Sequence, residues 1–197
     1  MTKVNVEIVG VKPIIFNKFN MESLTDQKKP KVGNSGNNPE EWKHSFFVEG
    51  KRIYIPGAYL FAALKNGAVN TKVGRGTIQK TLISALNICD ERVYLNREIW
   101  DDWENTEYEN LPTNSDSPVY IDIRMVANPN TKGRNIRYRL AMSPGWKMSF
   151  SLDIDESLIS NAQIKKVIED TGKLQGIADA RSLGYGRYEV ENIEFVK

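Results

Sequence analysis

The segment Lys147–Ile154 constrains the fold most tightly. Met148, Phe150, Leu152 and Ile154 alternate strictly with Lys147, Ser149, Ser151 and Asp153. A period of two belongs to an extended chain with one face on a core and the other in water. The pattern returns where Val4, Val6 and Ile8 interleave with Lys3, Asn5 and Glu7, and where Val119, Ile121, Ile123 and Met125 interleave with Tyr120, Asp122 and Arg124. It returns again in Ile136, Tyr138 and Leu140, which alternate with Arg137 and Arg139. Asn128-Pro-Asn-Thr-Lys-Gly133 is turn-forming, so Val119–Leu140 reads as a hairpin. Arg92–Glu98 reads as a further strand, and Ser45–Glu49 and Lys51–Ile55 form a short hairpin about Gly50.

Helices supply the cover such a sheet needs. Pro56-Gly57 opens one with Leu60, Ala63, Leu64, Gly67 and Ala68 on a single face. A second spans Thr77–Leu86, with Ile78, Leu82, Ala85 and Leu86 inward, and Ser160 caps a third containing Ile164, Val167, Ile168 and Leu174. Tyr188–Val196 closes as a strand whose change of parity at Asn192 predicts a bulge. Strand, helices, strands, helix, strand is an α+β order, the ferredoxin-like (RRM-like) βαββαβ antiparallel arrangement. We expect one domain over residues 1–197, interrupted by a flexible, breaker-rich insertion around 17–45 and a Trp-bearing acidic loop around 100–117.

Composition removes several classes of function. A single cysteine, Cys89, and a single histidine, His44, exclude a Cys/His zinc site, and no metal or cofactor is expected. Cys89 alone allows no intrachain disulfide, which makes the cytoplasm the default compartment. No apolar run approaches the roughly 20 residues of a membrane helix, and Met-Thr-Lys-Val-Asn-Val-Glu-Ile lacks the apolar core of a secretory signal.

The net charge of +2 hides a partition. Pro118–Lys147 holds Arg124, Lys132, Arg134, Arg137, Arg139 and Lys147 against Asp122 alone. The acidic loop holds Asp101, Asp102, Glu104, Glu107, Glu109 and Asp116 with no Lys or Arg. The hairpin therefore presents a basic tip and face that would track phosphates, unless the two segments are simply solvated faces. Lys72-Val-Gly-Arg-Gly76 places Lys72 and Arg75 in a second glycine-basic turn before a helix, either an anion site or a linker. Gly172–Arg187 carries Gly184, Gly186, Arg181, Arg187 and Tyr185 between the last helix and last strand. That composition suits a backbone that approaches phosphate closely, or else an ordinary cap and turn. Tyr185 and Trp146, both in turns, are candidates to stack bases, whereas Tyr138 has the parity of the core.

Two local sequences carry a resemblance. Arg52-Ile-Tyr-Ile-Pro-Gly-Ala-Tyr-Leu-Phe-Ala-Ala-Leu-Lys65 resembles the strand–Ile-Pro-Gly–helix segment of the RAMP superfamily, the ferredoxin-like proteins of CRISPR effector complexes. Gly176–Tyr188 is similar to that superfamily's C-terminal glycine-rich loop, with Gly-Tyr-Gly-Arg running into the last strand. The backbone subunits that polymerise along guide RNA are nearest. Gly10-Val-Lys-Pro-Ile-Ile-Phe-Asn-Lys-Phe19 is also similar to phage and mobile-element proteins of this type. Ala58, Tyr59 and Phe61 stand where backbone subunits commonly carry small hydroxyl residues and, a turn later, a basic residue, and the chain is short for such a subunit.

The resemblance implies a non-catalytic protein that binds single-stranded RNA or DNA, with RNA favoured. It also implies self-assembly along the strand or membership of a larger ribonucleoprotein, in antiviral defence. Two alternatives stay open. An endoribonuclease of the same fold would have His44 or Asp26 as its catalytic candidates. A phage assembly or inhibitory protein would use Trp100 and Trp103 for docking, unless these rings cover the core.

Overall fold

Val4, Val6 and Ile8 lie on the buried face of the first strand, β1 (Thr2–Gly10). The computed structural model describes residues 1–18, 38–127 and 133–196. Along the chain β1 is followed by β2 (Ile14–Ile15), β3 (Phe47–Glu49), β4 (Arg52–Pro56) and helix α1 (Gly57–Gly67). Then come a small hairpin, β5 (Lys72–Val73) and β6 (Gly76–Thr77), helix α2 (Gln79–Ala85), β7 (Leu86–Ile88) and β8 (Arg92–Glu98). The long hairpin β9 (Val119–Ala127) and β10 (Arg134–Met142) precedes β11 (Lys147–Ile154), helix α3 (Asn161–Asp170) and β12 (Tyr188–Val196).

The main sheet runs β12-β1-β11-β8-β4-β3, with β7 paired to β11, and its ladders are antiparallel. Val4, Val6 and Ile8 face Leu152, Phe150 and Met148 across β1 and β11, so the two clearest alternations become one buried surface. Between β1 and β12 the register shifts, pairing Glu7 with Asn192 and Ile8 with Val190. Glu191 is thus the extra residue of a bulge, one position from the break in alternation. Helices α1 and α3 cover one face through Leu60, Leu64, Ile164, Val167 and Ile168. The other face carries Lys3, Glu7, Ser149, Arg52 and Arg92 and is open to solvent.

Local chemistry explains the helix ends. The Ser160 hydroxyl accepts from the Gln163 backbone N–H at 3.3 Å while Gln163 Oε1 accepts from the Ser160 N–H at 2.9 Å, a reciprocal capping box. At the start of helix α1 the Gly57 N–H donates to Glu91 O at 2.9 Å, satisfying one of the amides that a helix leaves free at its N-terminus. A Cβ there would lie 2.2 Å from Asp90 O. Asp170, buried at the end of α3, accepts from Thr71 Oγ1 at 2.8 Å and from Lys166 Nζ at 2.7 Å.

A second sheet, β2-β10-β9, contributes Val119, Ile121, Leu140 and Met142 to the main core and gathers Ile15, Tyr120 and Ala141 in a small cluster of its own. Of the 17–45 stretch, residues 19–37 lie outside the described residues, Asp26 among them. Its end is held by the core: Pro39–His44 forms a 3-10 turn and Trp42 is fully buried. Trp100 and Trp103 pack edge-on to Trp42 at 6.2 and 6.1 Å, and Trp103 lies 5.1 Å from Phe46. The two tryptophans of the acidic loop therefore cover the core.

Candidate nucleic-acid interface

After β1 the chain turns at Val11–Pro13 and is laced to the glycine-rich loop by its backbone. Val11 N donates to Arg187 O at 2.9 Å, Gly186 N to Pro13 O at 2.7 Å and Asp179 N to Ile15 O at 3.0 Å. The loop accommodates this through positive φ at Gly176, Ala178, Ala180, Gly184 and Gly186. For the two alanines that conformation costs on the order of 1–2 kcal/mol each, which the surrounding hydrogen bonds must offset.

The two glycines expected to approach a ligand have different roles. Gly186 is buried, and a Cβ on it would lie 1.9 Å from Ile177 O, so its smallness serves packing within the loop. Gly184, at φ +85°, has no atom within 4 Å of a built Cβ and stays at the surface. Its N–H is used by Arg181 O at 2.9 Å, as those of Gly186 and Ile177 are used within the fold. These loop amides are therefore committed within the fold.

Arg181 and Arg187 line a polar recess of about 460 Å³ with Gln175, Asp179 and Ser182. Arg187 donates to Lys173 O, and its Nε is buried with no hydrogen-bond partner among the described residues. The basic hairpin reaches the same loop. Arg124 Nη2 donates to the Tyr185 hydroxyl at 2.9 Å and its guanidinium lies 4.6 Å from that ring centroid, while Arg139 forms an ion pair with Asp179. Asp122, which Arg124 also engages, raises the Arg124 pKa further, whereas burial pulls that of Arg139 down against the attraction of Asp179.

The structure sorts the expected site residues. Arg137 pairs with Glu41 and stays partly exposed, whereas Arg139 is buried and pairs with Asp179 inside the fold. Arg134 is exposed beside the Met125 sulfur, and Lys132 lies outside the described residues. Trp146 corrects the expectation of a stacking residue in a turn. It is fully buried, its Nε1 donates to Lys12 O at 2.8 Å, and its ring is pressed so closely on Gly10 that a Cβ there would be 2.0 Å away. Lys72 and Arg75 are exposed on the β5–β6 hairpin, beyond the opposite end of α1 from Pro56. The helix after them, α2, has only 7 residues. Tyr185 is half-buried against the Ile15, Tyr120 and Ala141 cluster, and His44 is exposed on its 3-10 turn.

A groove of about 190 Å³, unmarked by any sequence signal, joins the loop to α1. Phe16, Phe47, Ile55, Pro56 and Tyr59 form its apolar walls, with Asp179 and Arg181 at its edge. The Ile-Pro-Gly segment and the glycine-rich loop thus converge on one depression.

No protein-family model matches this sequence, and no curated protein matches it. Among solved structures, a chain of the Type III-B Cmr-beta bound to cognate target RNA aligns with a TM-score of 0.55 at 16% identity. The alignment covers 100% of this chain and 61% of that one, so the present chain spans about three fifths of its length. A chain of a Type IV-B CRISPR complex aligns with a TM-score of 0.47 at 10% identity, over 98% of this chain and 90% of that one. The protein is an α+β protein with a mostly antiparallel sheet, and it shares its fold with the Cmr-beta chain. That architecture is compatible with a RAMP-like fold.

Proposed function

We propose that this protein is a non-catalytic, RAMP-type subunit that binds single-stranded nucleic acid, RNA in preference to DNA, and assembles along the strand within a ribonucleoprotein. The order β12-β1-β11-β8 supports a ferredoxin-like reading, with α1 and α2 ahead of β8 and α3 ahead of β12. The target RNA bound in the Cmr-beta structure supports the choice of ligand.

The observation that carries the reading is convergence. The glycine-rich loop and the start of α1 meet around one depression, with Arg181 at its groove and Arg181 and Arg187 at the adjoining recess, and the basic hairpin reaches the same loop through Arg124–Tyr185 and Arg139–Asp179. Arginine forks suit phosphate, and the partly exposed Tyr185 ring suits a base. Arg134 and, from the sequence, Lys132 extend the basic track, and Lys72 and Arg75 form a second exposed basic turn.

Fluorescence anisotropy with labelled oligo(U) and oligo(dT) across a salt series tests this. Each phosphate contact on a single strand adds about 0.7 to the slope of log K against log salt. Arg187→Ala and Arg181→Ala should each weaken binding and lower that slope by about 0.7. Wild-type protein that binds neither oligomer at low salt, or variants with unchanged affinity and slope, would overturn the proposal.

A further inference from the structure

Phe47, Tyr54 and Tyr94 stand directly opposite one another on β3, β4 and β8, on the solvent side of the main sheet. Tyr59 joins them from the first turn of α1. Ring centroids are 5.5 Å apart for Phe47–Tyr59, 5.6 Å for Phe47–Tyr54 and 5.8 Å for Tyr54–Tyr94. Cations interleave with the rings: Arg52 lies 3.8 Å from the Tyr94 centroid, Arg92 5.5 Å from Tyr54 and Lys18 5.2 Å from Phe47. Glu49 accepts from both Arg92 and the Tyr94 hydroxyl, which fixes their positions. Counting Glu98, which faces Arg52 across the strands, the patch holds Lys18, Arg52 and Arg92 against Glu49 and Glu98.

We propose that this aromatic–cation ladder is a base-stacking surface, and that a single strand crossing the glycine-rich loop continues over it. The proposal rests on the reading that the chain binds single-stranded nucleic acid. Two observations choose that occupant. Phe47 and Tyr59 belong both to the ladder and to the groove that Arg181 borders, so the path from loop to sheet is continuous. The three cations of the patch outnumber its two carboxylates, a small excess of the sign that attracts a polyanion. Aromatic rings and guanidinium planes stack with any base, so the surface holds the strand without reading its sequence.

The test uses the full chain and a fluorescein-labelled 20-nucleotide oligo(U). Tyr54→Leu and Tyr94→Leu should each weaken binding about 5- to 100-fold. Their salt slope should stay unchanged, because a lost ring releases no counterions. Tyr54→Trp should bind at least as tightly as wild type. Leucine variants that bind like wild type would overturn the ladder while leaving the loop reading intact. A change in oligomer size without a change in affinity would do the same and mark a protein surface. Wild-type protein that fails to bind oligo(U) would remove the reading beneath the proposal. Should the leucine variants melt early, photo-cross-linking of wild type to a 5-iodouridine oligomer decides: adducts on Tyr54 or Tyr94 support the ladder, and adducts confined to residues 178–187 overturn it.

Discussion

Replacing Gly186 and Gly184 separately by alanine distinguishes a packing glycine from a surface one. Both have positive φ, +68° and +85°, so each alanine meets the left-handed penalty of roughly 1–2 kcal/mol. A stiffer unfolded chain returns about 0.4–1 kcal/mol at each. Only at Gly186 does the new methyl collide, at 1.9 Å from Ile177 O and 2.8 Å from Ile177 N. Those are backbone atoms that cannot rotate away. Overpacking of this kind adds about 1–3 kcal/mol, so Gly186→Ala should cost roughly 2–4 kcal/mol and Gly184→Ala about 1 kcal/mol. At about 2–4 °C per kcal/mol for a chain of this size, the melting temperature should fall by about 4–16 °C for Gly186→Ala and by about 2–4 °C for Gly184→Ala. Thermal denaturation followed by circular dichroism reads both. Equal losses, or a larger loss at Gly184, would refute the assignment of Gly186 to packing.

Four other outcomes follow from the same geometry. Asp179→Ala strands the buried Arg139. It should destabilise the chain by less than the roughly 3–5 kcal/mol of a fully buried pair, because Asp179 is partly exposed. In a denaturant melt the double variant Arg139→Met/Asp179→Ala should lose less than the sum of the single variants. Ser160→Ala removes one half of the capping box and should cost about 1 kcal/mol in the same melt. Trp146→Phe should lower the melting temperature, since Lys12 O loses its donor, yet leave the salt slope of oligonucleotide binding unchanged. Burial, with Asp122 adding, pushes the Tyr120 hydroxyl up to about 12, and burial raises that of Tyr188 as well. Above pH 10 the unfolded chain gives up these protons before the folded one, so this part of the stability is present below pH 10 and lost as pH rises toward 12. Absorbance near 295 nm at pH 11 should therefore show fewer ionised tyrosines in the native protein than in guanidinium, with Tyr120 and Tyr188 among those still protonated.

Much of this architecture was legible because alternation reports burial one residue at a time. Met148, Phe150, Leu152 and Ile154 are buried as their spacing implies, Ser160 caps α3, and the break near Asn192 marks a bulge one residue away. What could not be read was pairing at a distance. The arginines of β10 have the outward parity of a basic face, but Arg137 and Arg139 answer to Glu41 and Asp179, which only the folded chain brings near. Trp146 sits in a Pro-Gly turn whose composition suggests exposure, yet Gly10 leaves room for its indole in the core. The aromatic ladder was hidden for the same reason, since its four rings come from three strands and a helix.

The lacing of Val11–Ile15 to Asp179–Arg187 has a consequence for synthesis on the ribosome. Contacts between segments so far apart in the chain are slow to form, because a long loop must close before they gain anything. The first strand emerges early and waits with its apolar face exposed until β11 and then β12 arrive to pair with it. The recess of Arg181 and Arg187 takes shape only with that last pairing. A partly synthesised chain therefore has no formed recess, and that part of the surface exists only once the sheet is complete.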